Sequence, residues 1–175
     1  MNIFLIGFMG AGKTTVGKKL AKLIDYAFVD LDQYIENKEQ QTIPNLFRTK
    51  GEDVFRRIET HTLKNLNIDN SVIALGGGTP CFNNNIELIN QKGLSIYLQL
   101  PPKTLVNRLI HSKTKRPLID AYKTQPDLLL DKIENLLSER EPFYLKADII
   151  FNANNMNSVK IEQLLQQIET YFLSF

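Results

Sequence analysis

A glycine-rich run near the start of the chain has the residue types and spacing of a phosphate-binding loop. Residues 7–14, Gly-Phe-Met-Gly-Ala-Gly-Lys-Thr, match the pattern G-x-x-x-x-G-K-[ST]. Glycines here let backbone N–H groups turn inward without Cβ clashes and surround phosphate oxygens. The helix beginning near Gly12 directs its positive end at the same anion, Lys13 can reach the β- and γ-phosphates, and the Thr14 hydroxyl can ligate Mg²⁺. The motif predicts binding of a nucleoside triphosphate.

Motifs of the signalling GTPases are missing from the sequence. Those proteins need an N-K-x-D motif that reads guanine and a D-x-x-G switch. The run Asn37-Lys38-Glu39-Gln40 lacks the aspartate and falls too early, and no glycine has an aspartate three residues before it. What remains favours a small kinase.

Two aspartates, Asp30 and Asp32, follow the second predicted strand. Ligands of open α/β sheets bind at the carboxyl ends of the strands. A spacing of two places both carboxylates on one side if the strand geometry continues that far. One could then orient metal-bound water, and the other could accept a proton from an attacking hydroxyl. The alternative is that Asp32 caps a helix over 33–38.

Three consecutive glycines, Gly76, Gly77 and Gly78, end the third predicted strand. They offer no side chain to the core and cost chain entropy. We interpret them as a place where the backbone approaches a ligand closely with its N–H groups exposed. The alternative is a tight turn between a strand and a helix.

Arginines supply the remaining candidate binding groups. Arg56 and Glu59 lie three residues apart on a predicted helix, so they share a face and can pair, which would hold the guanidinium for bidentate recognition of a carboxylate. Arg116 lies in a long loop predicted over 112–126, and Arg140 follows a predicted helix. Each arginine alone is typical of a solvated surface. Together with the phosphate loop they indicate a phosphoryl group and an acceptor that is itself anionic.

Short apolar runs alternate with amphipathic segments along the chain. Strands are predicted at 2–6, 27–30, 72–75, 94–98 and 149–151. Helical spacing is found for Val16, Leu20, Leu23 and Ile24, after the cap Thr42 with Pro44, over 52–66, and for Ile161, Leu164, Leu165, Ile168 and Phe172. Such alternation predicts an α/β fold in which helices cover both faces of a parallel sheet. No linker rich in Pro, Gly or Ser divides residues 1–175, so we expect a single domain.

Composition excludes several function classes. The chain has 175 residues, 43% of them hydrophobic, which suits one compact domain and is too short for two. A net charge of +2 and a short basic run at 103–116 without aromatics do not indicate a nucleic-acid partner. No uncharged apolar run reaches the roughly 18 residues that span a membrane. The single cysteine, Cys81, is consistent with a reducing cytosol, so we expect a cytoplasmic protein.

In order and over nearly the whole chain, these motifs resemble the shikimate kinase family. The matching pieces are residues 7–15, Asp30-Leu31-Asp32, Gly51-Glu52 with Phe55-Arg56-Arg57-Ile58-Glu59, Gly76-Gly77-Gly78, Arg116-Pro117-Leu118, and Arg140 with Pro142-Phe143-Tyr144. The resemblance implies a three-layer P-loop kinase fold whose five-stranded parallel sheet has the order 2-3-1-4-5, with a mobile lid over about 111–124. It also implies transfer of the ATP γ-phosphate to the 3-hydroxyl of shikimate, in aromatic amino-acid biosynthesis, by an expected monomer.

The same resemblance implies roles for individual residues. Asp32 would hold the acceptor hydroxyl and act as its base, with Lys13 and Arg116 also catalytic. The acceptor region spans about 30–60, and the shikimate carboxylate would be bound by Arg56 and Arg140 beside Gly77 and Gly78. Thr14 would ligate Mg²⁺ directly and Asp30 through water. ATP would contact Gly10, Ala11, Gly12, Lys13, Thr14, Thr15, Arg108 and Arg116.

Some positions depart from the family pattern. Arg108 is the nearest candidate for an arginine that stacks on adenine, and residues 152–157 are rich in asparagine where relatives often carry an aspartate and an arginine. Cys81 is interpreted as a packing residue, and His61 and His111 lack metal-ligand spacing. Two other functions stay open: another small-molecule kinase such as a gluconate kinase, whose substrate also carries a carboxylate, and a nucleotide-binding module without turnover.

Overall fold

A single parallel sheet organises the protein. The computed structural model describes residues 1–112, 116 and 118–174. The strands of the sheet are β1 (Asn2–Ile6), β2 (Ala27–Asp30), β3 (Ser71–Ala74), β4 (Gly93–Gln99) and β5 (Ile149–Asn152). Their order is β2-β3-β1-β4-β5, and every neighbouring pair is parallel. The predicted fold class and strand order are confirmed.

Helices connect successive strands and flank the sheet. They are α1 (Lys13–Leu23), α2 (Leu31–Glu39), α3 (Ile43–Lys50), α4 (Glu52–Lys64), α5 (Asn85–Lys92), α6 (Pro102–Ile110), α7 (Pro126–Tyr144) and α8 (Ser158–Leu173), with short 3-10 helices at Thr79–Cys81 and Asp120–Tyr122. The predicted helix start at Thr42 is confirmed, because its hydroxyl accepts a hydrogen bond from the Asn45 N–H at 3.4 Å and Pro44 lies in the first turn.

The core lies around the central strand β1. All of its residues are buried, and Ile3 is paired with Val72 on one side and with Leu94 on the other. A strand enclosed in this way needs apolar side chains on both faces, which explains its uninterrupted apolar sequence. The ends of β1, β2 and β3 are therefore held in fixed relative positions, and the loops that follow them carry the candidate site.

Two residues predicted to face the core are exposed instead. The buried stripe of α1 runs through Val16 and Leu20 at a spacing of four, so Leu23 lies off the stripe and is 58% exposed. Phe172 occupies the last turn of α8 and is 37% exposed. In the part of the chain that the structure describes, no helix is both long and apolar enough to cross a membrane.

The predicted lid over about 111–124 is described only in part. Residues 113–115 and 117 lie outside the described residues, whereas Asp120–Tyr122 form a short 3-10 helix. The backbone N–H of Arg116 donates to the Asp120 carboxylate at 2.6 Å, and Asp120 also pairs with Lys123 at 2.8 Å. These contacts fix the backbone at Arg116 against the segment that follows it.

Candidate active site

The phosphate-binding loop joins β1 to α1. Gly7, Gly10 and Gly12 have φ angles of 139°, 83° and 95°, in the region that favours glycine, and Gly12 is the residue at the start of α1. The Lys13 ammonium donates to the carbonyl of Gly7 at 2.7 Å and to that of Phe8 at 3.1 Å. The loop, including Thr14 and Thr15, lines a cavity of about 350 Å³. This end of the molecule presents backbone N–H groups and an ammonium at one helix terminus, as an anionic phosphate requires.

The ammonium of Lys13 is held in an unusual environment. Burial, which disfavours the charged form, lowers the pKa of Lys13 to about 8. The carboxylates of Asp32 and Asp30 act in the opposite direction and do not fully compensate. An approaching polyphosphate would add negative charge beside Lys13 and so favour its charged ammonium form.

Asp30 and Asp32 lie on different elements, which corrects the expectation that both continue a strand. Strand β2 ends at Asp30, and α2 begins at the next residue, so Asp32 lies in the first helical turn. The cap is Asp30, whose carboxylate accepts from the Gln33 N–H at 3.4 Å; the cap role considered for Asp32 is therefore wrong. The other Asp30 oxygen accepts a hydrogen bond from the Thr14 hydroxyl at 3.1 Å.

Asp32 is a buried carboxylate with altered acidity. Burial, then the negative charges of Glu59 and Asp30, raise its pKa to about 6, and the Lys13 ammonium only partly offsets them. Such a group is ionised at neutral pH and binds a proton more readily than an exposed aspartate does. These are the properties needed to hold and deprotonate an alcohol.

Arg56 makes the predicted ion pair with Glu59. Its Nη1 lies 3.0 Å from Glu59 Oε2, and Glu52, one turn earlier on α4, accepts from Nε at 3.3 Å and from Nη2 at 3.0 Å. Glu59 is 1% exposed, and its second oxygen accepts from the Thr79 hydroxyl at 2.5 Å. The sequence analysis gave no role to Glu52 or Thr79, although the spacing of Glu52 from Arg56 on one helix was a usable signal.

A Cβ on any glycine of the triplet would lie closer to a neighbouring group than ordinary van der Waals contact. A Cβ on Gly76 would lie 2.8 Å from an Asp32 carboxylate oxygen, and one on Gly78 would lie 2.8 Å from both Nη atoms of Arg56. A Cβ on Gly77 would lie 3.3 Å from the Met9 backbone nitrogen. The triplet is therefore packed between the phosphate loop, the carboxylate and the arginine, which favours the interpretation of close backbone approach over that of a simple turn.

Arg140 lies within α7 rather than after it, which corrects the predicted position. The helix continues through Pro142 to Tyr144, and the Arg140 guanidinium lies 5.7 Å from the centre of the Phe8 ring. The Tyr144 hydroxyl, to which the sequence analysis gave no role, donates to the Gly77 carbonyl at 2.5 Å. This helix thus joins an arginine to the glycine triplet.

Arg108 and Arg116 both line the cavity formed by the phosphate-binding loop. Arg108 Nη1 donates to the carbonyls of Gly10 at 3.3 Å and Ala11 at 3.2 Å, so it contacts the phosphate loop itself. Its stacking on adenine stays a prediction. Arg116 lines both cavities and its buried Nε has no hydrogen-bond partner among the described residues. An unpaired buried donor in a cavity wall is suited to an anionic ligand.

A second cavity, of about 930 Å³, adjoins the first. Its wall includes Arg56, Gly78 and Arg140, and both cavities are lined by Asp32 and Arg116. The arrangement places a phosphate-binding loop on one side of a basic carboxylate and two arginines on the other. It can bring a phosphoryl donor and an anionic acceptor together at Asp32.

The cysteine, the histidines and the asparagine-rich loop considered in the sequence analysis are not part of this arrangement of charged groups. Cys81 is partly buried, and burial raises the pKa of its thiol to about 11, in agreement with a packing role. Among the described residues, no group of three His, Cys, Asp or Glu side chains could hold a metal ion. Asn154, in the asparagine-rich loop, accepts a hydrogen bond from the Thr104 hydroxyl at 3.5 Å.

Known proteins resemble this chain over nearly its full length. The family model described as shikimate kinase matches residues 9–169. A shikimate kinase of Bacteroides thetaiotaomicron is 40% identical over 171 residues, which cover 97% of each chain. A crystal structure of shikimate kinase from that organism has a TM-score of 0.88 at 39% identity and 98% coverage of both chains.

Further structures extend the comparison. The shikimate kinase of Acinetobacter baumannii in complex with shikimate has a TM-score of 0.80 at 36% identity, covering 99% of this chain and 93% of that one. A gluconokinase from Sinorhizobium meliloti, at 14% identity and a TM-score of 0.58 over 99% of this chain and 97% of its own, shares the fold.

Proposed function

We propose that this chain, which belongs to the shikimate kinase family, transfers the γ-phosphate of ATP to the 3-hydroxyl of shikimate. The observation that carries the proposal is the junction of two cavities at Asp32, with Lys13 on one side and Arg56 and Arg140 on the other. The relative that is bound to shikimate covers nearly the same chain and supports this choice of acceptor.

The phosphate loop binds the donor. Backbone N–H groups at Gly10 and Gly12 and the Lys13 ammonium surround the β- and γ-phosphates, and the dipole of α1 adds positive potential there. Lys13 leaves the carbonyls of Gly7 and Phe8 when it turns to the phosphates. Arg116 supplies its unpaired donor to the transferring group.

The acceptor lies in the larger cavity. Arg56 and Arg140 bind the shikimate carboxylate, and Gly77 and Gly78 leave room for the ring. Asp32 accepts the proton of the 3-hydroxyl as its oxygen forms a bond to the γ-phosphorus and the bond to the β-phosphate oxygen breaks, which releases ADP. Lys13 and Arg116 neutralise the charge that spreads over the phosphoryl oxygens.

Thr14 and Asp30 fit a bound Mg²⁺. Their oxygens lie 3.1 Å apart beside the phosphate loop, and hydroxyl and carboxylate oxygens are the donors that this cation prefers. When bound, Mg²⁺ neutralises phosphate charge. We assign the direct contact to Thr14 and the water-mediated one to Asp30.

Residues 1–175 form one kinase domain in this proposal, acting as a cytoplasmic monomer whose lid spans about 111–124. Closure of the lid brings Arg116 onto the phosphates and excludes water that would hydrolyse ATP. Size-exclusion chromatography with light scattering at several protein concentrations tests the oligomeric state.

An acceptor screen tests the function. ADP release is measured in a coupled assay with ATP, Mg²⁺ and either shikimate, gluconate or a nucleoside monophosphate. We expect turnover with shikimate alone. Turnover of gluconate but not shikimate would refute the proposal in favour of a gluconate kinase, and nucleotide binding without acceptor-dependent turnover would favour the non-catalytic module.

A variant then tests the acceptor side. Arg140→Ala should raise the KM for shikimate about tenfold or more, because a charged hydrogen-bonding partner is worth about 1.5–3 kcal/mol, and should leave the KM for ATP near its original value. Equal changes in both constants would contradict the assignment of Arg140 to the acceptor.

A further inference from the structure

Two residues of the segment that follows the glycine triplet, Phe82 and Asn83, contact the arginine assigned to the acceptor. The Phe82 ring centre lies 4.2 Å from Arg56 Cζ, closer than the rings of Phe55 at 5.3 Å and Phe47 at 5.8 Å. Asn83 donates from its side-chain amide to the Arg56 carbonyl at 3.3 Å. This segment, residues 79–83, belongs to neither α4 nor the phosphate loop.

Contacts from this segment reach the side chain and the backbone of Arg56. The Thr79 hydroxyl donates to Glu59, and Glu59 pairs with one edge of the Arg56 guanidinium. The Phe82 ring covers one face of that guanidinium. The Asn83 amide binds the Arg56 backbone and also donates to the Thr60 hydroxyl at 3.0 Å. The Arg56 side chain is only 12% exposed. A long, flexible side chain is thereby held in one orientation before any ligand arrives.

Phe82 differs from the other two rings in its position. Phe47 and Phe55 form part of the wall of the larger cavity, whereas Phe82 is not among its lining residues in the described part of the chain. Phe82 is also 37% exposed, so it fills little of the core. The ring therefore contacts the arginine from outside the wall of the larger cavity.

We infer that Phe82 is a positioning residue for acceptor recognition: its ring fixes the Arg56 guanidinium so that it binds the acceptor carboxylate without first losing rotamer freedom. The attraction between a guanidinium and an aromatic face, together with the saved ordering entropy, then appears as affinity for the carboxylate. The inference rests on the proposed function, because it takes Arg56 to bind the carboxylate of shikimate.

A neutral substrate separates this role from general packing. The methyl ester of shikimate keeps the ring hydroxyls and removes the charge that Arg56 recognises. We define the acid preference as kcat/KM for shikimate divided by kcat/KM for the ester. In Phe82→Leu this preference should fall about three- to tenfold, in the range that cation–π contacts contribute, with the KM for ATP unchanged.

Two companion variants and a control sharpen the result. Phe82→Tyr keeps the ring and should retain the wild-type acid preference, whereas Phe82→Met covers a similar area without a ring and should lose it, even if Phe82→Leu fails to fold. Phe172→Leu makes the same change at an equally exposed phenylalanine on α8 and should alter nothing.

The outcomes distinguish the two proposals. A wild-type enzyme that phosphorylates neither acid nor ester counts against the proposed function itself. An active wild type whose acid preference survives in Phe82→Leu and Phe82→Met overturns the positioning role. Equal losses with acid and ester in these variants also overturn it, because they indicate a structural role that does not act through the carboxylate.

Discussion

Replacing Asp32 with asparagine should make the protein more stable and nearly inactive. Asparagine keeps the size of the side chain but removes a charge that is buried beside Glu59 and Asp30. The pKa of Asp32 rises from 3.8 to about 6 in the folded protein. This rise corresponds to about 3 kcal/mol, since each tenfold change in proton affinity is worth about 1.4 kcal/mol. That is the cost of keeping the carboxylate ionised in the fold.

The direction in which stability changes with pH follows from proton binding at Asp32. Between about pH 4 and 6 the folded protein binds a proton at Asp32 that the unfolded chain has released, so this residue makes the wild type less stable as pH rises through that window. Asparagine does not titrate. The variant should therefore match the wild type at pH 4 and exceed it by about 3 kcal/mol at pH 7, or about 6–12 °C in Tm for a chain of this size.

Thermal and urea unfolding followed by circular dichroism, from pH 4 to 8, measure the difference. Asp131→Asn, on an exposed site of α7, is the matched control and should show no such trend. In the coupled assay Asp32→Asn should lose about a hundredfold or more in kcat, the contribution expected of a general base. A stability difference that is the same at pH 4 and pH 7, or a variant less stable than wild type at pH 7, would refute the reasoning.

Three further outcomes are expected. Gly78→Ala should raise the KM for shikimate about ten- to a hundredfold and spare that for ATP, because the new Cβ would lie 2.8 Å from both Nη atoms of Arg56; steady-state kinetics in both substrates check this. Thr14→Val should raise the Mg²⁺ concentration needed for half-maximal rate, since it removes the hydroxyl that lies 3.1 Å from Asp30; an unchanged titration would contradict that assignment. Because the pKa of Lys13 is about 8, kcat/KM for ATP should fall as pH rises past that value, and a flat profile to pH 9.5 would argue against a role for this ammonium.

The sequence predicted the features that depend on local pattern. Apolar runs and their alternation with helical spacing gave the parallel sheet, and the three-residue spacing of Arg56 and Glu59 gave their ion pair. The prediction that Leu23 faces the core was wrong, because spacings of three and four both fit a helix and only packing decides which stripe is buried.

Features that depend on distant residues escaped the sequence analysis. Phe82 lies beside Arg56, although they are separated by more than twenty positions in the chain and no periodicity links them. Likewise, a spacing of two cannot show whether Asp30 ends its strand or continues it, since the start of α2 is set by the capping bond to Gln33. Local motifs indicated the class of chemistry, and tertiary contacts determine which side chains come together to perform it.

The adjacency of β1, β3 and β2 divides the site into parts that can change separately. The phosphate loop follows β1, the glycine triplet follows β3 and Asp30 ends β2, so their separations are set by neighbouring strands about 4.8 Å apart. The helices α2, α3 and α4 lie between β2 and β3 in the chain and carry Asp32 and Arg56. Substitutions in these three helices can therefore change which acceptor is bound during evolution. The distance between the donor and the acceptor stays fixed by the sheet.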